Sequence, residues 1–316
     1  MNRIEIFNIN QWDIQINAHK DVYLQPDFLR ILENRYEGEI MIFVLFFNDK
    51  IRNIIGGLSY KKKFYYPHHF LFSPYFQSTE LSENECNNGI KLLLKEIKKK
   101  HNQISLRLPI CIKDIRPFIW EDFSYILKYT YLKKIKDREF HPNIKRILKK
   151  QNFQYSFKIE NKIEIVKNFL INDLNQYNFS NSKELLNYLQ NLSDLNLIII
   201  TSAYRGEILK ACNLIFLNSG KKEAYFFLIS KVGKDDYKQQ LPTLMYEFSF
   251  QKLEEIGIEY ADLFGANIEN VSNFKSKLFP ELKEFYEVEY SKIRTDFVRF
   301  LAVIKSIVKR IYYLKR

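Results

Sequence analysis

The hydrophobic and polar positions of the first half of the chain predict alternating strands and helices. The continuous apolar run from Met41 to Phe47 predicts a strand covered on both faces. Asp49–Lys50 predicts a turn into a hairpin partner at Ile51–Tyr60, where Gly56–Gly57 indicates a bulge or a close approach. Apolar residues at helical spacing predict a helix over Cys86–Lys100, with its lysines outside. The other predicted elements of this half are a strand at Ile4–Ile9, a helix beginning near Pro26, and strands at Ile104–Leu108 and Ile126–Leu132.

The second half repeats this order of elements. Predicted helices lie at Ile163–Asn175, Ser182–Gln190 and Thr243–Glu255, and predicted strands at Leu197–Ala203, Ile208–Leu217, Ala224–Val232 and Ile258–Leu263. The repeated order indicates a duplication at the level of pattern, without sequence identity between the halves. We therefore expect an α/β (α+β) fold of two similar domains with mixed, mostly antiparallel sheets. The expected domains are residues 1–135 and 136–291.

Residues 292–316 predict a basic amphipathic helix after the second domain. One apolar stripe at helical spacing contrasts with eight basic residues and the single acid Asp296. This composition is typical of a helix lying on an anionic membrane surface, where each cation contributes on the order of 1 kcal/mol. The alternative is a final helix that packs its stripe onto the second domain. The stripe consists of Phe297, Phe300, Leu301, Ile304, Val308 and Ile311.

Between the halves, the segment H-P-N-I-K-R-I-L-K-K at residues 141–150 predicts a short basic helix. It fits a solvated helix and an anion-binding helix equally well.

The composition points to a protein with an anionic partner. The 316 residues carry a formal net charge of +12, which favours nucleic acid, a phospholipid surface or a phosphate-bearing substrate. An AT-rich genome would also explain many of the lysines. No apolar run reaches about 18 residues, and the start M-N-R-I-E-I-F lacks a secretory h-region, so we expect a cytoplasmic protein.

The sequence lacks the motifs of several common metal sites and enzyme classes. The three cysteines show no C-x-x-C spacing and the five histidines no H-E-x-x-H, so we expect no metal site. G-x-S-x-G and Walker A loops are also missing, which disfavours common hydrolases and P-loop proteins. An odd, small cysteine count fits buried thiols in a reducing compartment.

The stretch from Ala261 to Phe279 predicts a strand, a tight turn at Gly265 and a short helix. We expect Asn267 to cap that helix, because its side-chain oxygen can accept free backbone N–H groups. Asp262 on the strand and Lys275 on the helix are then candidates to face one cleft. Asp262 could instead cap the turn, and Lys275 could be a surface lysine.

This stretch resembles a known family. Its pattern D-x-x-G, then F-K-x-x-F, resembles the C-terminal signature of the FemABX-like branch of the GNAT superfamily, which includes BioF2-like acetyltransferases. S-P-Y-F-Q and D-I-R-P-F-I-W with Y-T-Y resemble further family segments, so that the resemblance covers roughly residues 20–290. Two features depart from it: Pro280 replaces the usual glycine, and there is no room for the coiled-coil arm of some tRNA-dependent members.

The resemblance implies tandem GNAT domains and an acyl- or aminoacyltransferase. Lys275 would polarise the acyl carbonyl, and Asp262 would orient Lys275 or act as base. The acceptor would be an amino or hydroxyl group of a cell-envelope precursor or surface sugar. The implied substrate-binding residues are Phe274, Gly265, Asn267, Arg116, Tyr129, Tyr131 and Gln77, of which the two tyrosines could also be sheet packing.

The donor stays open between acyl-CoA and aminoacyl-tRNA, with no bound cofactor. The loop Lys238–Pro242 lacks the glycines with which many GNAT proteins cradle pyrophosphate, although backbone N–H groups remain at the helix start. Gln239, Gln240 and Thr243 are the candidate donor-binding residues. The alternative function is a non-catalytic GNAT-fold protein that binds nucleic acid or anionic lipid. The enzyme would work in the cytoplasm or peripherally on the inner membrane face.

Overall fold

The chain forms two units, each built from segments that are distant in the sequence. The computed structural model describes residues 2–15, 21–67, 72–150, 154–176, 182–230, 232–238 and 240–297. The first unit contains the described residues within Met1–Asn17, Tyr36–Lys128 and Phe285–Arg316, and the second those within Ala18–Arg35 and Tyr129–Glu284. The domain boundaries expected from the sequence stay a prediction.

The described elements follow in chain order. The strands are β1 Asn2–Phe7, β2 Glu39–Phe47, β3 Lys50–Tyr60, β4 Lys63–Tyr65, β5 Tyr75–Gln77, β6 Gln103–Arg107, β7 Ser124–Lys134, β8 Ser156–Glu160, β9 Ile198–Arg205, β10 Ile208–Asn218, β11 Glu223–Ile229, β12 Tyr260–Asp262 and β13 Glu281–Ser291. The α-helices are α1 Ile9–Gln15, α2 Pro26–Arg35, α3 Glu83–Lys100, α4 Arg116–Trp120, α5 Pro142–Lys149, α6 Glu164–Gln176, α7 Ser182–Asp194, α8 Lys234–Lys238, α9 Leu241–Glu255 and α10 Glu269–Lys275.

The first unit is a sheet covered by the predicted long helix α3. Its strand order is β1-β2-β3-β4-β6-β13, with β5 paired to β3. Ser82 and Glu85 form a capping box at the start of α3, and lysines in its last turn complement the helix dipole. The buried face of α3 joins the core of this unit through Ile90, Leu93, Leu94 and Ile97. The close approach predicted at the glycine pair is confirmed, since a Cβ on Gly56 would lie 2.8 Å from Cβ of Pro74.

The second unit has the strand order β7-β12-β11-β10-β9-β8. β11 and β12 are parallel, while the other neighbouring pairs are antiparallel. α9 lies on this sheet with Tyr246, Phe250 and Leu253 buried, and the Tyr246 ring stacks on Phe226 at 4.9 Å. The expected α/β class with mostly antiparallel sheets is confirmed.

Both units contain the same local motif. In the first, α3 lies between β4 and the parallel β6, and in the second α9 lies between β11 and the parallel β12. The predicted helices and strands of both halves are found, with shifted ends. One prediction at the N-terminus is wrong in its extent: β1 ends at Phe7, and Ile9 begins α1 because the Asn8 side chain accepts from the Gln11 N–H and starts a helical turn.

The predicted C-terminal amphipathic helix is described only at its start. Residues 292–297 are helical directly after β13, and residues 298–316, over which the prediction extends, lie outside the described residues. Within the described parts of the chain, no helix has the length and apolar character needed to cross a membrane.

Candidate functional site

The candidate site lies in the second unit, where two parallel strands part. β11 and β12 pair from Glu223 with Tyr260 to Tyr225 with Asp262. Directly after β12, the Leu263 N–H donates to the Tyr131 carbonyl of β7 at 2.8 Å. The segment that follows β12 therefore stays beside β7 and separates from β11. Within the described residues, β11 is paired from Phe226 onward only on its β10 side. The parting leaves backbone N–H and C=O groups of one strand available to an extended ligand.

A strained turn follows β12. Phe264 and Gly265 both have left-handed backbones, with φ of 54° and 75°. This conformation is unfavourable for a bulky residue such as phenylalanine, and strain of this kind concentrates at functional sites. Gly265 is required for a second reason: a Cβ there would lie 2.5 Å from Cγ1 of Val271 and 3.2 Å from Nζ of Lys275. The predicted turn at Gly265 therefore brings α10 against the end of β12.

Lys275 is the last residue of α10 and is buried, with only 5% of its surface exposed. Its ammonium donates to the carbonyl oxygens of Leu263 and Phe264, the latter at 3.2 Å. Burial lowers the pKa of Lys275 from its ordinary value of 10.5 to about 8, although the charge of Asp262 acts in the opposite direction. The structure places the Lys275 ammonium at the end of the strand that bears Asp262, and the cleft and the catalytic role expected for it stay predictions.

Asp262 ends β12 and is 1% exposed. One carboxyl oxygen, Oδ1, accepts from the Thr130 hydroxyl and from the Phe264 N–H at 2.9 Å. The other, Oδ2, is buried without a hydrogen-bond partner in the described structure. Burial raises the pKa of Asp262 from 3.8 to about 7, against the opposing effects of Thr130, the Phe264 N–H and Lys275.

The carboxylate and the ammonium act on each other through their charges. Both residues are described, and no ion pair joins them, because Nζ is held by backbone carbonyls instead. Asp262 also accepts from the Phe264 N–H. This is the turn-capping bond that the sequence offered as the alternative role for Asp262. A buried carboxyl oxygen without a partner is costly, on the order of 1–3 kcal/mol, and is suited to a bound group that donates a proton.

A second acid lies close to this site. The Tyr225 hydroxyl donates to Glu223 at 2.6 Å, and burial raises the pKa of both groups. The charge of Glu223 also raises the pKa of Asp262. Neither Glu223 nor Tyr225 was singled out from the sequence, since each reads as an ordinary strand residue. Thr130 was missed for the same reason, although its hydroxyl is a direct partner of Asp262.

Other predicted residues of this unit lie around the same turn. The Tyr131 hydroxyl shares a hydrogen bond with Ser272 Oγ at 2.7 Å. The Asn267 side chain accepts from the Tyr129 N–H at 3.0 Å and donates to the Tyr129 carbonyl at 2.7 Å. The prediction that Asn267 caps the helix is therefore wrong: α10 begins after Ile268, which makes no side-chain cap, and the amide is held by β7.

The predicted substrate-binding Phe274 packs against the core of the second unit, whereas those predicted donor-binding residues that the structure describes lie around the start of α9. The Phe274 ring lies 5.8 Å from that of Tyr246 and is half-buried against the core of the second unit. Gln240 has a left-handed backbone before α9, and its carbonyl accepts from the N–H of the buried Thr243 at 3.0 Å. Gln239 lies outside the described residues.

Two of the residues predicted to bind substrate lie in the first unit. The Gln77 Oε1 atom accepts from the Tyr75 hydroxyl at 3.4 Å. Arg116 binds the carboxylate of Asp114 through Nε at 2.9 Å and Nη2 at 2.7 Å, and it also contacts Glu83. The guanidinium thus already has two acidic partners within its own unit, so a substrate role for it stays a prediction.

The described residues offer no evident metal centre. No group of three or more His, Cys, Asp or Glu side chains in the described ranges could hold an ion. Among these residues Cys86 and Cys212 are buried thiols and Cys111 is an exposed one.

Comparison with known proteins identifies the fold. Neither the protein-family models nor the curated protein sequences contain a match. Solved structures do match. FemX is similar with a TM-score of 0.59 and 9% identity, covering 90% of this chain and 96% of its own. A tandem GNAT protein from the clavulanic acid biosynthesis pathway has a TM-score of 0.58 and 8% identity, with coverage of 90% and 98%. L-PGS from Bacillus licheniformis has a TM-score of 0.51 and 14% identity, with coverage of 88% and 91%.

These similarities establish a GNAT-like fold for the chain, as the sequence predicted. At such low identity they carry the fold alone. The function must be argued from the parting of β11 and β12 and from the side chains beside it.

Proposed function

We propose that the protein is an acyl- or aminoacyltransferase of the FemABX-like, BioF2-like type. The observation that carries the proposal is the buried Lys275 ammonium beside the buried Asp262 carboxyl, at the parting of two parallel strands in a GNAT-like fold. A cation and an acid of altered pKa at such an opening are a common sign of a functional site. The donor is acyl-CoA or aminoacyl-tRNA, and the acceptor is an amino or hydroxyl group of a cell-envelope precursor or surface sugar.

The two side chains divide the reaction between them. The acceptor nitrogen or oxygen bonds to the acyl carbon, and its proton passes to the unpartnered Oδ2 of Asp262. The Lys275 ammonium stabilises the negative charge that develops on the acyl oxygen. The carbonyl then re-forms as the thiolate or ribose oxygen of the donor leaves and takes the proton from Asp262.

The donor is proposed to lie along the free edge of β11. Backbone groups from Phe226 to Ile229 on that edge have no strand partner in the described chain, and an extended acyl chain or aminoacyl end can bond to them. Gln240 and Thr243, at the start of α9, are the described candidates for the donor's phosphate groups. Pro242 has no N–H and therefore removes one of the usual anion-binding donors at that helix start.

The pH dependence follows from the two pKa values. Transfer needs Asp262 ionised, which favours pH above about 7, and Lys275 charged, which favours pH below about 8. We expect a bell-shaped rate profile with its maximum between these values. The apparent pKa values belong to the interacting pair.

The test is Lys275→Ala with Lys277→Ala as the matched control, since Lys277 is an exposed neighbour in the next turn. Mass spectrometry of the purified protein first identifies any retained CoA, acyl group or RNA, which selects the donor to assay. We expect Lys275→Ala to lower kcat on the order of 100- to 1,000-fold with donor binding retained, as for loss of one oxyanion-stabilising group. The control should keep its activity.

A second function is a non-catalytic GNAT-fold protein that binds nucleic acid or anionic lipid, which the net charge of +12 favours. Salt-sensitive nucleic-acid binding without transfer from any CoA or charged-tRNA donor would support it. Full activity of Lys275→Ala would remove Lys275 from the proposed mechanism. Under either function we propose a cytoplasmic location, either away from the membrane or peripherally on its inner face.

A further inference from the structure

The second unit carries an exposed phenylalanine in a conformation that folding alone does not favour. Phe279 follows the turn after α10, is 49% exposed and has a left-handed backbone with φ of 51°. Such a conformation is unfavourable for a non-glycine residue, and about half of the surface of Phe279 remains in water. Leu282, three residues later, is 53% exposed. These two apolar side chains contribute little to the core, which suggests that they contact a partner.

The basic helix α5 lies directly beside Phe279. The His141 N–H, at the start of α5, donates to the Lys277 carbonyl at 2.9 Å. The His141 ring meets the Phe279 ring edge-on, with centroids 6.2 Å apart. Ile144, on the inner face of α5, is buried in the same core cluster as Leu278. The position of α5 relative to Phe279 is therefore set by a backbone bond, a ring contact and shared core packing.

The outer face of α5 is a stripe of cations. Lys145, Arg146, Lys149 and Lys150 are exposed, and none of them makes an ion pair or side-chain hydrogen bond within the described part of the chain. Lys145, Arg146 and Lys149 belong to α5 and Lys150 is the residue directly after it, so the four charges lie within six consecutive residues. Exposed like charges without acidic partners repel one another, and an anionic surface relieves that repulsion.

We propose that these cations, together with Phe279 and Leu282, form a docking surface for an anionic lipid bilayer. We call this set the α5–Phe279 surface. The cations would lie among anionic headgroups, and the two apolar side chains would enter the boundary of the acyl chains. A base could stack on the Phe279 ring, but nucleic acid would leave the exposed aliphatic Leu282 without a suitable contact, so it fits less well than a bilayer.

Vesicle co-sedimentation of the full chain tests the surface. The matched variants are K145Q/R146Q/K149Q on α5 and K95Q/K99Q/K100Q on α3, which lose the same charge from different units. At about 1 kcal/mol for each cation, the α5 variant should bind phosphatidylglycerol-containing vesicles about 100-fold more weakly, while the α3 variant keeps its affinity. Phe279→Ser should weaken binding about 10-fold. Equal loss in both triple variants would assign binding to net charge and overturn the proposal.

Hydrogen exchange of the unaltered full chain supplies the second measurement. We expect phosphatidylglycerol vesicles to slow exchange in residues 142–150 and 276–283, and pure phosphatidylcholine vesicles to leave both segments unchanged. Binding of bulk tRNA that is lost in the α5 variant, without vesicle binding, would assign the surface to nucleic acid and overturn the proposal, as would absence of protection in these segments. The inference is independent of the proposed chemistry, so Lys275→Ala should still bind vesicles.

Discussion

Replacing Asp262 by asparagine should make the protein more stable at alkaline pH while abolishing its proposed activity. Asp262 is 1% exposed, and burial raises its pKa from 3.8 to about 7. The difference corresponds to about 4 kcal/mol of unfolding free energy. Asparagine keeps an oxygen that can accept from Thr130 and from the Phe264 N–H, but it carries no charge at any pH.

The sign of the effect follows from proton binding. Between about pH 4 and pH 7 the folded state holds a proton that the unfolded state has released, so the stability of the natural protein falls as pH rises through this window. Above about pH 7 both states are ionised, and the full cost of the buried charge is present. Asp262→Asn should therefore match the natural protein within about 1 kcal/mol at pH 4 and exceed its unfolding free energy by about 4 kcal/mol at pH 8.

Urea denaturation followed by far-ultraviolet circular dichroism, which reports the helices and strands of both units, measures this difference at intervals from pH 4 to pH 8. Asp235→Asn is the control, because it makes the same replacement at an exposed side chain of the same unit. A difference for Asp262→Asn that stays constant across this range would refute the reasoning. So would an Asp262→Asn protein that is less stable than the natural one at pH 8.

Two further substitutions test the partners of this site. Thr130→Val removes a donor that lowers the pKa of Asp262, so the acidic limb of the pH–rate profile should move to higher pH. Unmoved acidic and alkaline limbs would show that Asp262 does not set the profile. Gly265→Ala places a Cβ 2.5 Å from Cγ1 of Val271 in a left-handed backbone, and we expect a loss of about 1–3 kcal/mol in urea denaturation together with reduced transfer. Unchanged stability of the Gly265→Ala protein would mean that the turn after β12 relaxes freely.

The spacing of hydrophobic residues predicted the helices and strands better than it predicted which of them pack or pair together. The apolar spacing of α3 and the continuous run of β2 were sufficient, because burial on one stripe or on both faces leaves a direct pattern in the sequence. The same pattern cannot show that β13 pairs with β6, or that α2 belongs to the second unit. Those pairings depend on complementarity between residues that are far apart in the sequence.

At the candidate site, local signals located the main residues but not their contacts. Gly265 marked the turn, and the resemblance pointed to Asp262 and Lys275, which the structure brings to the same strand end. The role of Asn267 was misjudged because an asparagine before a helix usually caps it, whereas here the backbone of Tyr129 competes for its amide. Thr130 gave no signal, since a threonine is ordinary in a strand. The catalytic and binding roles assigned to these residues stay predictions.

β13 is synthesised long after the strand β6 with which it pairs, and this order affects folding during synthesis. The first unit pairs β6 with β13 from Gln103 with Ser291 to Arg107 with Glu287, and the Arg107–Glu287 ion pair spans 180 residues of sequence. A ribosome that has synthesised β1 to β6 has not yet produced the strand that covers the edge of β6. That open edge can pair with other chains until β13 has emerged. Contacts of such long sequence separation also slow folding, so the nascent first unit is exposed to aggregation for longer during synthesis.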